Sequence, residues 1–281
     1  MIEAQTRRRL YTFPLHRRDS IGSAYHVLTF EANEPIAALP GQFAMVRSTT
    51  WGDAPLLPRP MSLLTGGTRP SILIKVVGEG TMRMAYASSG EQFELLAPLG
   101  RPWSPLPEGH RAVFVAGGVG VAPLVFLAQA LGEARAGGEM PLALYGGRTH
   151  ADLPLDAELA AVTELRVATE DGSRGTHGRV TVLLEKALDE LSGRAIKVYT
   201  CGPDPMMAAV ARICAERHVA CEVSLETPMA CGYGVCLGCP VPRRPAGYLY
   251  ACTEGPCIDA ALIDWERGHG VSAGQKARGA S

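Results

Sequence analysis

The feature that most constrains this chain is a set of four cysteines near its carboxyl end. Cys231, Cys236 and Cys239 are followed by Cys252, which gives the spacing C-x4-C-x2-C-x12-C. The first three cysteines have the spacing of a plant-type [2Fe–2S] loop, in which a distal cysteine supplies the fourth thiolate. The spacing therefore predicts a one-electron iron–sulfur centre at this end of the chain.

Glycines between the cysteines favour the same interpretation. Gly232, Gly234 and Gly238 are expected to take positive φ and to let backbone N–H groups point at sulfur. Two alternatives remain open. A zinc ribbon usually has two C-x2-C pairs, and this chain has one. A disulfide scaffold suits a small secreted chain rather than one of 281 residues.

Length and composition narrow the class of protein. A chain of 281 residues with 47% hydrophobic residues has room for two domains and a small module. A formal net charge of −1 gives no reason to expect a nucleic acid or an anionic membrane as partner. No apolar run approaches the ~20 residues of a membrane span, and the first residues lack the apolar core of a secretory signal. Eight cysteines without an export signal indicate a reducing cytoplasm.

The first hundred residues have the pattern of short strands separated by frequent turns. Alternating or β-rich runs cover Tyr25–Phe30, Gly41–Arg47 and Ser71–Val77, and no helical period extends over ten residues. These features predict an antiparallel β-barrel.

Two segments of this region are candidates for binding a phosphorylated cofactor. The tetrapeptide Arg59-Pro60-Met61-Ser62 combines an arginine suited to pyrophosphate with a hydroxyl group. In the second segment, Gly80-Thr81 could present backbone N–H groups to a phosphate where a helix begins at Met82. Each motif is weak alone, and an ordinary strand start is the alternative for the tetrapeptide.

The pattern changes at Arg111 to alternating strands and helices. This alternation predicts an open, mostly parallel sheet with crossover helices. The expected strands are Ala112–Ala116, Pro141–Tyr145, Leu165–Ala168 and Ile196–Thr200, and the expected helices are Leu124–Ala136, Val180–Leu191 and Pro205–His218.

A glycine loop after the first of these strands is the candidate nucleotide site. Gly118 and Gly120 belong to a G-x-G-x-x-P segment in which Pro123 replaces the third glycine of the dinucleotide fingerprint, which argues against an ordinary Rossmann dehydrogenase. No acidic residue follows at the expected distance of about 20 residues on a convincing strand end. A plain tight turn is the alternative.

Two further strand ends carry candidate residues. Cys201, in Cys-Gly-Pro-Asp-Pro-Met-Met, lies at the predicted carboxyl end of a strand, where open α/β sheets bind ligands. Arg148 follows another strand and could meet a nucleotide phosphate. A buried structural cysteine and a solvated surface arginine are the respective alternatives.

The order of these motifs along the chain is more specific for a protein family than any single motif. R-P-x-S, G-x-G-T, G-G-x-G-x-A-P-L, C-G-P-x-P-M-M and the cysteine set follow one another in the chain. This order resembles the electron-transfer subunit of B-type, NAD-linked dihydroorotate dehydrogenase, a branch of the ferredoxin reductase superfamily. The resemblance covers about Tyr25 to Leu262.

The resemblance implies roles for the residues that match the family's motifs. Cys257 is a fifth nearby thiol, which the family pattern does not require, and the motif favours Cys252 as the fourth ligand. Lys75 stands where arginine is usual, which keeps the charge but loses the bidentate fork. The implied FAD-binding residues are Arg59, Pro60, Met61, Ser62, Leu73, Ile74, Lys75, Gly80 and Thr81. The implied residues bordering NAD are Gly118, Gly120 and Cys201, and the cluster ligands are Cys231, Cys236, Cys239 and Cys252.

The implied fold and function follow from the same resemblance. The fold would be a flavin-binding β-barrel in residues 1–108, a ferredoxin reductase-like NAD domain in 109–226, a [2Fe–2S] module in 227–267 and a disordered tail in 268–281. The chain would be an oxidoreductase component of pyrimidine biosynthesis, passing electrons from an FMN-containing catalytic subunit through the cluster and FAD to NAD⁺. The two subunits would form a heterotetramer of two plus two. The cofactors carry this chemistry, so no catalytic side chain is expected.

Two other functions remain as alternatives. One is the flavin-bearing small subunit of an NAD(P)H-dependent ferredoxin or sulfide oxidoreductase, a family in which the first cluster ligand is typically aspartate, whereas this chain has Cys231. The other is a non-catalytic regulator in which a cluster or a zinc ion only organises a partner-binding loop.

Overall fold

A computed structural model describes residues 8–133 and 139–267 of the chain. Its amino-terminal part is a closed antiparallel barrel with the strand order β1-β2-β5-β4-β3-β6. The six strands are β1 Arg9–Ile21, β2 Tyr25–Phe30, β3 Phe43–Ser48, β4 Arg59–Thr65, β5 Ser71–Lys75 and β6 Gln92–Leu99. The predicted barrel is therefore confirmed, and its strand β4 begins at Arg59.

Aromatic side chains on alternate strand positions fill the barrel. Phe13, Phe30 and Phe93 are almost fully buried, and the rings of Phe30 and Phe93 lie 5.5 Å apart. The helix predicted from Met82 begins earlier and forms α1, Glu79–Tyr86. The hydroxyl oxygen of Thr81 accepts hydrogen bonds from the backbone N–H groups of Val77 and Gly78, which fixes the chain into its first turn.

The middle of the chain is a seven-stranded sheet with the order β10-β9-β8-β7-β11-β12-β15. All neighbouring pairs are parallel except β12 and β15, so the expectation of a mostly parallel sheet is confirmed. Its strands are β7 Arg111–Gly117, β8 Leu142–Gly147, β9 Glu164–Thr169, β10 Thr176–His177, β11 Ile196–Cys201, β12 Ala220–Ser224 and β15 Cys257–Asp259.

Helices cover both faces of this sheet, as a doubly wound fold requires. The helix predicted over Leu124–Ala136 begins two residues earlier, and its residues 134–136 lie outside the described residues. The helix α3 was not predicted, because it is only seven residues long. The helices are α2 Ala122–Glu133, α3 Asp156–Val162, α4 Val180–Glu190 and α5 Asp204–Glu216.

The cysteine-rich segment packs against both larger parts. A small ribbon, β13 Pro240–Pro242 with β14 Tyr248–Tyr250, precedes β15, which extends the nucleotide-domain sheet at its edge. A separate buried network joins the linker after β6 to the sheet, because Glu222 of β12 accepts hydrogen bonds from Ser104 and from the Lys197 ammonium of β11, the latter at 2.9 Å.

No helix in the described ranges is long and apolar enough to cross a membrane. The predicted disordered tail, residues 268–281, lies outside the described residues. The domain boundaries given above stay predictions.

Candidate cofactor sites

A cavity of about 370 Å³ lies between the barrel and the segment that leads from β12 to the cysteines. Strands β4 and β5 form one wall, and residues 225–229 form part of the opposite wall. The predicted FAD-binding residues that line it are Pro60, Met61, Ser62, Leu73, Ile74, Lys75 and Thr81. The structure thus brings together seven residues from three separate motifs.

The remaining two predicted FAD-binding residues, Arg59 and Gly80, contact each other beside this cavity. A Cβ atom added at Gly80 would lie 2.6 Å from Arg59 Nε, so only glycine leaves the guanidinium in place. Arg59 donates a hydrogen bond to the carbonyl of Leu57 at 2.7 Å. Within the two described ranges, no carboxylate pairs with this guanidinium. Its charge is therefore available to a phosphate next to the first turn of α1.

The opposite wall contains two polar residues that sequence reasoning missed. Thr227 is buried, and its hydroxyl is the one buried side-chain polar atom of the described residues without a hydrogen-bond partner. Glu226 lines the same cavity, and desolvation together with the charge of Asp204 raises the pKa of its carboxyl. A buried hydroxyl without a partner costs stability unless a bound group satisfies it. Two features thus fit a polar cofactor such as FAD. One is the Arg59 guanidinium packed against Gly80, and the other is the Thr227 hydroxyl.

A second cavity of about 390 Å³ opens at the carboxyl ends of the parallel strands. Gly118 lines it, with a φ of 55°, so the predicted glycine loop does form part of its wall. Gly120 lies behind this wall, where an added Cβ atom would lie 2.5 Å from the carbonyl oxygen of Cys201. Cys201 is itself buried, and burial raises the pKa of its thiol well above the usual range. These two residues therefore pack the glycine loop against the next strand end.

Charged residues in the nucleotide cavity come from strands later in the chain. Glu170 follows β9 and lines the cavity together with Arg148 and Arg179. The dinucleotide fingerprint places an acidic residue about 20 positions after the glycine loop, whereas the carboxylate in this cavity comes from a more distant strand. The available clue to Glu170 was its position. It directly follows Thr169, the last residue of β9, at the carboxyl edge of the sheet.

One side chain, Lys75, lines both cavities. Its ammonium donates to Asp152 Oδ1 at 3.1 Å, and the Tyr25 hydroxyl donates to the same oxygen at 3.0 Å. Desolvation opposes ionisation of Asp152, but the hydrogen bonds from Lys75 and Tyr25 outweigh it and hold the pKa of the carboxyl below its usual range. At Lys75, desolvation acts to lower the pKa of the ammonium, but the interactions with Tyr25 and Asp152 outweigh it and raise the pKa. The pair is therefore ionised at neutral pH.

The lowered pKa of Asp152 predicts how its contribution to stability depends on pH. A carboxyl with a depressed folded-state pKa stabilises the fold fully above its unfolded value of about 3.9 and loses this contribution as pH falls through the folded value. We expect the unfolding free energy of the wild type to exceed that of Asp152→Asn by a constant amount above about pH 5, and the difference to shrink below about pH 4. Urea unfolding of both proteins, at pH values above about 5 and below about 4, measures this difference.

The four predicted cluster ligands form two close pairs. The thiols of Cys239 and Cys252 lie 3.2 Å apart, and the thiols of Cys231 and Cys236 interact with each other. Within the described ranges, no group of three His, Cys, Asp or Glu side chains could hold a single metal ion. Two pairs of thiols suit a [2Fe–2S] cluster, because each of its two irons takes two protein ligands. A tetrahedral zinc site requires all four around one ion.

Backbone N–H groups already point at these sulfur atoms. The Cys231 thiol accepts from the N–H groups of Cys236 at 3.4 Å and Tyr233 at 3.5 Å, and the Cys239 thiol accepts from that of Cys252 at 3.5 Å. Desolvation acts against ionisation of Cys231, yet these donors lower the pKa of its thiol to about 6. The loop is therefore built to stabilise thiolate at this end, as a cluster requires.

The loop backbone agrees with expectation at two glycines and differs at a third. Gly232 and Gly234 have φ values of 77° and 90°. Gly238, however, does not have a positive φ, and its neighbour Leu237 does, at 54°. The N–H of Gly238 donates to the Cys236 thiol at 3.4 Å. The turn that directs this N–H at sulfur thus falls one residue earlier than expected.

Cys257 lies apart from this set of thiols. It is buried at the start of β15, with its sulfur 3.7 Å from the carbonyl oxygen of Gly41. Burial raises the pKa of its thiol well above the usual range, with the nearby Glu222 acting in the same direction. The structure therefore places Cys252, and not Cys257, next to Cys239.

Barrel, parallel sheet and cysteine loop together define the class of ferredoxin reductase-type oxidoreductases that carry an iron–sulfur module. Residues 114–212 match the oxidoreductase NAD-binding domain, and residues 226–264 match the iron–sulfur cluster binding domain of dihydroorotate dehydrogenase B. The solved structure of an NADH-dependent reduced ferredoxin-NADP oxidoreductase has a TM-score of 0.78 at 26% identity and covers 91% of this chain and 90% of its own. A ferredoxin reductase in carbazole 1,9a-dioxygenase, at 19% identity and a TM-score of 0.66, covers 75% of this chain and 67% of its own and shares the fold.

Two curated relatives identify the family within this class. The dihydroorotate dehydrogenase B (NAD(+)) electron transfer subunit of Desulforamulus reducens is 37% identical over 82% of this chain and 88% of its own length. That of Bacillus caldolyticus is 38% identical over 80% of this chain and 86% of its own. The chain belongs to the family of dihydroorotate dehydrogenase B electron transfer subunits. It is an oxidoreductase component whose cofactors are FAD, a [2Fe–2S] cluster and NAD.

Proposed function

We propose that this chain passes electrons from the FMN-containing, dihydroorotate-oxidising catalytic subunit to NAD⁺ in pyrimidine biosynthesis. One observation carries the proposal, namely that the three cofactor sites adjoin one another. Lys75 is shared by the flavin and nucleotide cavities, and Met229 of the flavin cavity precedes the first cluster cysteine by only two residues. When bound, FAD exchanges a hydride with the nicotinamide and single electrons with the cluster.

The residues of the barrel hold and orient the flavin in this proposal. Arg59 and the first turn of α1 bind the pyrophosphate, because a guanidinium and unpaired backbone N–H groups meet beside Gly80. Ser62 and Thr227 both line the cavity and would supply hydroxyl groups to polar atoms of a bound flavin. The apolar side chains of Leu73 and Met61 line the same cavity and would shield a bound flavin from water.

The cluster ligands in this proposal are Cys231, Cys236, Cys239 and Cys252. Cys236 is exposed, whereas Cys239 and Cys252 are buried in a core that the barrel, the sheet and the module share. The large apolar residues Val235 and Leu237 are also exposed on the cluster loop, at 73% and 53%. An exposed apolar loop beside a redox centre suits docking of the catalytic subunit, from which electrons arrive.

The finer identity of the partner is part of the proposal. We propose an assembly of two catalytic and two electron-transfer subunits that works in the cytoplasm, where the eight free cysteines stay reduced. Purification of the chain from its own host under anaerobic conditions should yield a second subunit with FMN in a one-to-one ratio. A second subunit that lacks FMN, or a chain that purifies alone with full FAD and iron, contradicts this assignment.

Nucleotide preference follows from Glu170 in the nucleotide cavity. A carboxylate there accepts hydrogen bonds from the adenosine ribose of NAD and repels the 2′-phosphate of NADP. We expect NADH to reduce the flavin faster than NADPH in stopped-flow mixing, and Glu170→Gln to diminish that preference by about tenfold, the size of one lost charge interaction. The matched control is Glu158→Gln, an exposed residue on α3 outside the cavity.

Either of two results would count against this preference. An unchanged preference in Glu170→Gln would remove that residue from the ribose site. Faster reduction by NADPH in the wild type would instead favour the ferredoxin or sulfide oxidoreductase alternative.

A further inference from the structure

A small polar cluster, formed by Tyr25, Lys75 and Asp152, joins the barrel to the nucleotide sheet where the two cavities meet. Tyr25 and Lys75 are directly opposed residues of the antiparallel pair β2–β5, so their side chains lie next to each other at the end of the barrel. Asp152 comes from the short turn after β8, and its Oδ1 atom accepts from both. Its Oδ2 atom faces Arg148 of its own domain at 3.4 Å.

This cluster is where the barrel reaches into the nucleotide cavity. Among the described residues that line that cavity, Lys75 alone comes from the barrel strands. The same lysine lines the flavin cavity, whose wall is built largely from the barrel. The distance between the two cavities therefore depends on how the barrel sits against the loop that carries Asp152.

We propose that Asp152 is a positioning residue, which holds Lys75 and Tyr25 so that the nicotinamide and flavin rings meet at hydride-transfer distance. The inference rests on the proposed function, because it requires FAD and NAD(H) in the two cavities. The hydride moves between the two cofactors with its electron pair, and Asp152 exchanges neither proton nor electron. Asp152 instead fixes the relative placement of the two parts that bind them.

The burial of the pair makes this role physically reasonable. The side chains of Lys75 and Asp152 are 29% and 15% exposed, so loss of the carboxylate leaves a poorly solvated ammonium between the cavities. That ammonium would turn towards water, and β5 would then be free to move relative to the loop that carries Asp152. Hydride transfer is sensitive to such motion, since a misplacement of about 1 Å can lower a rate by about a hundredfold.

The test is the variant Asp152→Asn in the holoprotein, mixed anaerobically with NADH in a stopped-flow instrument. Asparagine keeps the size of the side chain and an acceptor oxygen but removes the charge. We expect the limiting rate of flavin reduction to fall about tenfold, while the dissociation constant for NADH changes by less than about twofold. FAD and iron content should stay at the wild-type values. The charge-transfer absorbance between flavin and nicotinamide should weaken, because it reports contact of the rings without turnover.

Variants of the partner lysine show whether the effect passes through the pair. Lys75→Met should lower the limiting rate as Asp152→Asn does, and the double variant should be no slower than either single one. Lys75→Arg keeps the charge and should remain within about threefold of the wild type. The matched control is Asp156→Asn, which removes a carboxylate paired with Arg174 inside the nucleotide domain and should leave the rate unchanged.

Three results would overturn the inference. The first is a wild-type limiting rate in Asp152→Asn, and the second is an equal fall of that rate in Asp156→Asn. The third is a change in Asp152→Asn confined to the NADH dissociation constant, which would make Asp152 a nucleotide-binding residue instead. A wild-type flavin that NADH does not reduce at all would contradict the proposed function and not this inference alone.

Discussion

Cys252→Ser is expected to abolish or strongly shift the [2Fe–2S] EPR signal of the reduced protein, whereas Cys257→Ser leaves it nearly intact. The physical reason is the placement of the two thiols. Cys252 lies 3.2 Å from the Cys239 thiol, whereas Cys257 contacts the carbonyl of Gly41 in a different part of the core. A thiolate ligand stabilises iron far better than the alcohol that replaces it.

The same two variants separate the cluster from the flavin. FAD should remain bound in both, because its proposed contacts in the barrel do not include either cysteine. NADH should still reduce the flavin of Cys252→Ser, while electron exchange with the catalytic subunit should collapse. Loss of the EPR signal in Cys257→Ser with a normal signal in Cys252→Ser would show that the fourth thiolate is assigned to the wrong residue.

Arg59→Ala is expected to weaken FAD binding by about ten- to a hundredfold and to leave the cluster in place. A hydrogen bond between a guanidinium and a phosphate contributes about 1.5–3 kcal/mol, and no carboxylate within the described residues competes for this guanidinium. The measurement is the ratio of flavin to iron after gel filtration. Gly80→Ala should lower that ratio too, because the added Cβ atom would displace the Arg59 side chain.

Arg69→Ala provides the control for this prediction. Arg69 pairs with Glu31 on the outside of the barrel and does not line the flavin cavity, so its removal should leave the flavin-to-iron ratio unchanged. An unchanged ratio in Arg59→Ala would remove this arginine from the flavin site. A lowered ratio in all three variants would indicate general damage to the barrel instead.

Features that depend on local sequence were largely predictable. The strand Tyr25–Phe30 is found where the sequence indicates it, and the glycine loop lies between a strand and a helix as expected. Each rests on a short segment whose own residues decide its conformation. The order of the motifs along the chain then identified the family, which no single motif could do.

Features that depend on contacts between distant segments could not be predicted in this way. Asp152 is separated by more than seventy residues from Lys75, and nothing in its own sequence surroundings indicates that partner. Thr227 is an ordinary polar residue until its hydroxyl is buried at a cavity wall without a hydrogen bond. Glu170 follows a strand that is distant in sequence from the glycine loop, so spacing from that loop does not indicate it. Such roles arise only when strand ends are brought together.

Neither the first strand nor the last was predicted, for different reasons. Arg9–Ile21 forms the longest strand of the barrel by pairing with both β2 and β6, and the alternating apolar residues Tyr11, Phe13 and Leu15 were the available signal. Cys257–Asp259 is only three residues long and becomes a strand because β12 offers it a free edge. For this last strand the partner, and not local propensity, decides the conformation.

Formation of NADH from dihydroorotate by the reconstituted two-subunit complex tests the central claim most directly. The complex of FMN-containing catalytic subunit and fully loaded wild-type chain should reduce NAD⁺ when dihydroorotate is added under anaerobic conditions. The catalytic subunit alone should not, and the complex with Cys252→Ser should lose nearly all of this activity while its flavin still reacts with NADH. Equal NADH formation by the wild-type and Cys252→Ser complexes, or none by a complex with all cofactors present, would contradict the account.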